Sequence, residues 1–401
     1  MMDTPPALRR LPYGRQSIDD SDVAAVTAIL RGDWLTGGPA VPAFEEAFAG
    51  ITGAAHAVAC SNGTAALHLT ALALGLGPGD HVVVPSTTFL ATANAARYVG
   101  AEVVFADSDP DTGLMRPQDL EAALADAPGP VKAVYPVHLN GQTSDMAGIA
   151  AIATERKLAV VEDACHAVGG KTATGDVVGG CRHSSMAVFS LHPVKTITMG
   201  EGGVVTTNDP ALAQRLARLR NHGMTRDPAD FTMADQAWDA AGSANPWYYE
   251  MPEPGFNYRA CDLQCALGLS QLRRLDRFIA RRRELAALYD RLLAPLAPVV
   301  RPAGRTGGQP GWHLYVVLVD FSALGIDRAT LMRRLDAVGI GTQVHYLPVH
   351  RQPYYRQRYG AVSLPGADRY YARCLSLPLF ADMADDDVER VAHALTRIVH
   401  G

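Results

Sequence analysis

Only four lysines, Lys132, Lys157, Lys171 and Lys195, occur among the 36 lysine and arginine residues, so the basic side chains are almost all arginine. Lys195 stands apart by its setting. It closes the stretch Phe189-Ser190-Leu191-His192-Pro193-Val194-Lys195 and is followed by Gly200-Glu201-Gly202-Gly203. An amine on a tight, glycine-rich loop just after a buried strand is where a Schiff-base lysine would sit. Arginine would not serve there, because a guanidinium stays protonated whereas a desolvated lysine can release its proton. A carboxylate, Asp163, ends the most apolar strand-like run, Leu158-Ala159-Val160-Val161-Glu162-Asp163. By itself it reads equally well as a cap on the next segment. Ser61-Asn62-Gly63-Thr64-Ala65-Ala66-Leu67 follows one strand pattern and opens a helical one. Free amide N–H groups at such a helix start attract phosphate, and small residues allow close approach. Alone, this stretch reads more simply as an ordinary N-cap.

Taken together, the three signals point to one chemistry. Pyridoxal phosphate needs a lysine for its aldehyde, a carboxylate on its ring nitrogen and a cradle for its phosphate. Lys195, Asp163 and Gly63-Thr64 fill those roles. Ser190 would add a hydroxyl to the phosphate site. Phe89 would stack on the pyridine ring, although plain core packing is the simpler meaning of a single phenylalanine. His138, His192 and His345 lack metal-ligand spacing, so no metal site is expected and structural histidines are the default. Arg281-Arg282-Arg283 lies on a helical stretch and points to several faces, which reads as solvated surface.

These residues must be held by a larger frame. The first two thirds alternate short apolar runs with helical patterns. Strands are expected at His56–Cys60, His81–Pro85, Glu102–Asp107, Val131–Pro136, Leu158–Asp163, Ser185–Ser190 and Gly203–Thr207. Helices are expected at Asp19–Arg31, Gly63–Leu74, Thr88–Val99, Pro117–Ala125, Ser144–Lys157 and Ala211–Asn221. Runs apolar on both faces suit a buried, mostly parallel sheet in an α/β layer. Pocket residues then gather at the carboxyl ends of the strands. Met224–Pro254 is weakly patterned, as lids, binding loops and disordered stretches are. A long helix is expected from Leu263 to Leu292. Beyond it a smaller α+β unit follows, with strands near Leu314–Val319 and Thr342–His345 and helices near Arg328–Ala337 and Asp385–Val399. The expected division is a large α/β domain over 1–262, and the linking helix with the small domain over 263–401.

Composition narrows the function classes. A net charge of −5 argues against a nucleic-acid partner. No apolar run reaches the length of about 18 residues that a spanning helix needs. The start, Met1-Met2-Asp3-Thr4-Pro5-Pro6, lacks the apolar core of a signal peptide. Six cysteines are scattered without a Cys-x-x-Cys pair, which reads as reduced thiols of a cytoplasmic protein.

The chain resembles the DegT-type sugar aminotransferases, fold-type I pyridoxal phosphate enzymes, from about Tyr13 to its end. The resemblance rests on Gly32-Asp33-Trp34-Leu35-Thr36-Gly37-Gly38, the Ser61–Leu67 stretch, Thr88-Phe89-Leu90-Ala91-Thr92-Ala93-Asn94 and Glu162-Asp163-Ala164-Cys165-His166-Ala167. The lysine loop and Gly255-Phe256-Asn257-Tyr258-Arg259 complete it. His192-Pro193-Val194-Lys195, Asn221-His222-Gly223-Met224, Trp247-Tyr248-Tyr249-Glu250 and Gln343-Val344-His345-Tyr346 point to the pseudaminic-acid branch, which aminates a UDP-linked 4-keto sugar. The stretch before Gly255 is longer than in some members of that branch. The resemblance implies that Lys195 carries pyridoxal phosphate, with Asp163 on the ring nitrogen and Gly63, Thr64 and Ser190 on the phosphate. It places Phe89 on one ring face and His166 near the other. It implies that Asn257 reaches the phosphate from a second subunit, making a homodimer with composite sites. Tyr13, Asp33, Trp34, Leu35, Thr36, Gln343, Val344, His345 and Tyr346 match positions that meet the nucleotide-sugar. L-Glutamate would give the amino group.

Three alternatives share much of this pattern. A sugar dehydratase would keep the fold, but related dehydratases carry histidine in place of the lysine. Aminotransfer at C3, or on a dTDP-linked sugar, is compatible with the same cofactor motifs. A non-catalytic cofactor-binding regulator lacks support from any DNA-binding appendage or basic face.

Overall fold

The computed structural model describes residues 9–400. Met1–Pro6, on which the signal-peptide expectation rests, lie outside the described residues. Seven strands form the main sheet: β1 His56–Cys60, β2 His81–Pro85, β3 Glu102–Ala106, β4 Val131–Val134, β5 Ala159–Asp163, β6 Met186–Ser190 and β7 Gly203–Thr207. Their spatial order is β1-β7-β6-β5-β4-β2-β3. β7 runs antiparallel to both neighbours, and the β5–β6, β4–β5, β2–β4 and β2–β3 pairs are parallel. The α/β class with a mostly parallel sheet is therefore as the apolar runs implied. β7 is buried at every position, which accounts for its lack of alternation.

A second, antiparallel sheet has the order β10-β9-β8, from β8 Val300–Pro302, β9 Tyr315–Val319 and β10 Cys374–Leu377. Its core takes Leu285, Leu288 and Tyr289 from the helix Leu275–Leu293 and Val388, Val391 and Leu395 from Asp385–His400. The start of the same Leu275–Leu293 helix, through Leu275, Phe278 and Ile279, packs in the core beneath the main sheet. One helix thus belongs to two cores.

Three departures from the expected elements have physical causes. The single long helix is two, Asp262–Leu272 and Leu275–Leu293. Arg274 leaves helical geometry (φ −111°, ψ 3°) while its guanidinium pairs with Asp19 and Asp22. A helix at Ala40–Thr52 was not anticipated. Its N-cap, Pro39, offers no side-chain bond; the cap comes from Asp262, 222 positions later, which accepts from Ala40 N–H at 3.0 Å and from Gly38 N–H at 2.8 Å. Thr342–His345 is not a strand, since only Gln343 makes a bridge, with Ser376. Met224–Pro254 carries a short helix, Ala234–Ala237, and folds around Glu250. That carboxylate accepts from Thr232 N–H, Met233 N–H and the Thr232 and Tyr248 hydroxyls.

Candidate active site

A cavity of about 850 Å³ opens at the carboxyl edge of the main sheet. Asp163 ends β5 there, and Ser190 ends β6. The loop from Ser190 to Gly203 is drawn tight by Leu191, whose N–H donates to Gly202 O at 2.8 Å and whose carbonyl accepts from Met199 N–H at 2.9 Å. Lys195 N–H donates to His192 O at 2.8 Å, and the turn carries the lysine into the cavity wall. Burial pushes the Lys195 pKa below the ordinary lysine value; the neighbouring Cys165 and Asp163 act in the opposite sense and do not cancel the effect. Asp163 Oδ2 accepts from the Thr92 hydroxyl at 2.6 Å and Oδ1 accepts from Cys165 N–H at 3.2 Å. A lysine prone to lose its proton and a hydrogen-bonded carboxylate therefore share one cavity.

The helix Gly63–Ala73 begins at the other wall. Asn62 is its N-cap, accepting from Ala65 N–H at 2.8 Å, so the ordinary reading of this stretch holds as well. The amides of Gly63 and Thr64 lie before that bond, at the helix's positive end. Gly63 is required by packing: a Cβ there would lie 2.7 Å from Ser190 Cβ. A phosphate group fits this wall, where helix-start amides and the Thr64 and Ser190 side chains meet.

The remaining wall is aromatic. Tyr346 hydroxyl lies 3.0 Å from His166 Nε2, and the His166 and His313 rings are 4.4 Å apart. Burial holds both imidazoles well below the usual histidine range, and the positive charge of Lys195 adds to the effect. His345 is lowered to about 3 for the same reasons, and its Nδ1 lies 2.7 Å from the Ser376 hydroxyl. Tyr13, Phe89, Gln343 and Val344 also line the cavity. Phe89 is 54% exposed and is not core packing.

Twelve of the residues singled out from the sequence line this one cavity, from Tyr13 and Gly63 to Tyr346. Others do not. Asn257 is exposed and bridges Asn221. Asp33, Trp34, Leu35 and Thr36 are exposed on a loop stitched by Asp262 N–H to Leu35 O at 3.1 Å. No residue of 224–254 lines the cavity among the described residues. His138 is a structural histidine, 2.7 Å from the Glu162 carboxylate. His313, Thr92, Cys165 and Tyr258 line the cavity without having been singled out. Thr92, Cys165 and Tyr258 stood within stretches whose other members drew attention; His313 did not.

The chain matches the DegT/DnrJ/EryC1/StrS aminotransferase family over residues 16–396 and belongs to it. It is 41% identical over 394 residues to the spore coat polysaccharide biosynthesis protein SpsC of Bacillus subtilis (strain 168), covering 98% of this chain and 97% of that one. Among solved structures it resembles Helicobacter pylori PseC, an aminotransferase involved in the biosynthesis of pseudoaminic acid (TM-score 0.87, 27% identity, 98% and 100% of the two chains). It also resembles Spr1654 of Streptococcus pneumoniae, solved in its PMP form (TM-score 0.87, 25% identity, 98% of each chain).

Proposed function

We propose that this aminotransferase uses pyridoxal phosphate to move the amino group of L-glutamate to C4 of a UDP-linked 4-keto-6-deoxy-N-acetylhexosamine, as in pseudaminic-acid-type nucleotide-sugar synthesis. The carrying observation is the convergence of Lys195, Asp163 and the Gly63-Thr64 helix start on one cavity. When bound, the cofactor supplies an aldehyde that holds an amine and a ring that takes up electrons from the adjacent carbon. Lys195 would hold it covalently, Asp163 would keep its ring nitrogen protonated, and Gly63, Thr64 and Ser190 would take its phosphate. Phe89 and His166 would flank the ring. Lys195 Nζ, its proton loosened by burial, would take the proton from the α-carbon of glutamate and return one to C4 of the sugar. Neutral His166, His313 and His345 would leave the lysine as the cavity's proton carrier.

Tyr13 and Gln343–Tyr346 would meet the nucleotide-sugar. Asn257, Asp33, Trp34, Leu35 and Thr36 would act across a homodimer, completing the cavity of a second copy. Trp34, at 57% exposure, and Leu35, at 50%, support this, being large apolar side chains left open to solvent in the single chain. Residues 1–262 would form the cofactor domain, and 263–401 the linking helix with the small domain. The free cysteines suit work in the cytoplasm.

The test incubates the protein and cofactor with glutamate, then with a panel of UDP- and dTDP-linked keto-sugars, reading product position by NMR. Loss of the visible cofactor band with glutamate, then amination at C4 of the UDP-linked 4-keto sugar, is expected. Amination at C3, or turnover only of dTDP-linked sugars, would overturn the substrate assignment.

A further inference from the structure

The Asp163 carboxylate accepts from the Thr92 hydroxyl on Oδ2 and from Cys165 N–H on Oδ1, and the Cys165 thiol lies beside it. The first contact is the shorter, 2.6 Å against 3.2 Å, and it belongs to a chain. Thr88 Oγ1 lies 2.8 Å from Thr92 Oγ1. An ionised carboxylate only accepts, so the single proton of the Thr92 hydroxyl is committed to Asp163. Thr88 must then donate to Thr92, and the order runs Thr88 to Thr92 to Asp163. Thr88 and Thr92 are each 1% exposed and Asp163 is 5% exposed, so water does not compete readily for these bonds. Thr92 lies in the first turn of the helix Leu90–Tyr98, and Thr88 precedes that helix, on the far side of its extended N-cap Phe89; the 2.8 Å contact joins the two hydroxyls. A helical threonine commonly returns its hydroxyl to the carbonyl four residues back; Thr92 instead reaches another element.

We propose that Thr92, backed by Thr88, is a positioning residue for the Asp163 carboxylate. It fixes the plane of that group against the helix Leu90–Tyr98, leaving the remaining lone pairs to the cofactor's ring nitrogen. This rests on the reading of Asp163 as the ring-nitrogen partner. Hydroxyl donation to a carboxylate is among the stronger hydrogen bonds, so it holds the group's orientation firmly.

Thr92→Val preserves shape and removes the hydroxyl; Thr92→Ser restores it. Each apoprotein is titrated with pyridoxal phosphate by fluorescence, and the visible band of the loaded protein is followed against pH. Thr92→Val is expected to weaken cofactor binding about tenfold and to raise the pH midpoint of the band by about one unit. Thr92→Ser should stay within about twofold of wild type, and Thr88→Val should shift the midpoint less, in the same direction. A purely structural threonine would lower the melting temperature without moving the midpoint. Wild-type affinity and midpoint in Thr92→Val, or equal impairment in Thr92→Ser, would overturn the inference. Asp163→Asn separates the two layers. If it shifts the midpoint and Thr92→Val does not, only the role of Thr92 falls; if Asp163→Asn has no effect, the reading of Asp163 falls and the inference with it.

Discussion

Gly63→Ala puts the proposed phosphate cradle under direct strain. The added methyl would lie 2.7 Å from Ser190 Cβ and 3.1 Å from its hydroxyl, against the roughly 3.5–4.0 Å of ordinary carbon contacts. Neither partner is a flexible side-chain end: one is the last residue of β6 and the other opens the helix Gly63–Ala73. Relief requires the helix start to move outward, carrying the Gly63 and Thr64 amides away from the phosphate position. Overpacking of this kind costs about 1–3 kcal/mol in the native state. Losing one charged hydrogen bond to the phosphate costs a further ~1.5–3 kcal/mol of binding. At about 1.4 kcal/mol per decade, the cofactor Kd should rise between roughly tenfold and a hundredfold. Fluorescence titration of the apoprotein measures this, and a denaturant melt measures the packing cost separately. Gly50→Ala is the control: Gly50 lies within the helix Ala40–Thr52 with nothing within 4 Å of an added Cβ. That change should stabilise by up to about 1 kcal/mol and leave Kd unaltered. If Gly63→Ala bound pyridoxal phosphate as tightly as wild type, the helix start would not be the phosphate cradle.

Arg282, expected on a solvated face, is instead 1% exposed, and its Nη1 donates to the carbonyls of Trp312, His313 and Leu379. Arg282→Ala should destabilise by about 3 kcal/mol or more, and a loss below about 1 kcal/mol in a denaturant melt would contradict that role. His345 is held neutral, with its pKa lowered to about 3 from 6.5, so the unfolded chain binds a proton there that the native one refuses. Apoprotein stability should therefore fall as pH drops below 6.5 towards 3, by up to about 1.4 kcal/mol per unit for this group. His345→Gln should flatten that slope in melts recorded across pH. Lys195 is also lowered, from 10.5, so it penalises the native apoprotein below that pH and not above it. Lys195→Met should stabilise the apoprotein near neutrality, with the gain shrinking as pH approaches 10.5; a gain independent of pH would contradict the assignment.

The features read most directly from the sequence are those written in local pattern. β1, β2 and β7 have the bounds that their apolar runs and flanking turn residues imply. Asp163 was visible because it ends such a run, and Lys195 because it lies on the glycine-rich loop just after another; strand ends on one sheet edge meet by topology. What escaped depends on contacts far apart in the chain. The helix Ala40–Thr52 is capped by Asp262, and the break at Arg274 coincides with ion pairs to Asp19 and Asp22. His313 precedes an apolar strand with no motif around it, and only the packing of that segment against Asn140 and Arg282 brings its ring beside His166. The Thr88–Thr92 relay was inside a recognised stretch, but the direction of a hydroxyl is a property of its neighbours, not of its own position. Asn257 and Asp33–Thr36 lie on the surface of one chain, away from the cavity, and only under the proposed reading do they act, through a second copy.

The most direct measurement is reductive trapping. The protein is loaded with pyridoxal phosphate, reduced with borohydride, digested and read by mass spectrometry. With four lysines in the chain the assignment is unambiguous. The account predicts a phosphopyridoxyl group on the peptide containing Lys195 and on none containing Lys132, Lys157 or Lys171. A label on another lysine, or no stoichiometric label under conditions where the cofactor binds, would contradict it.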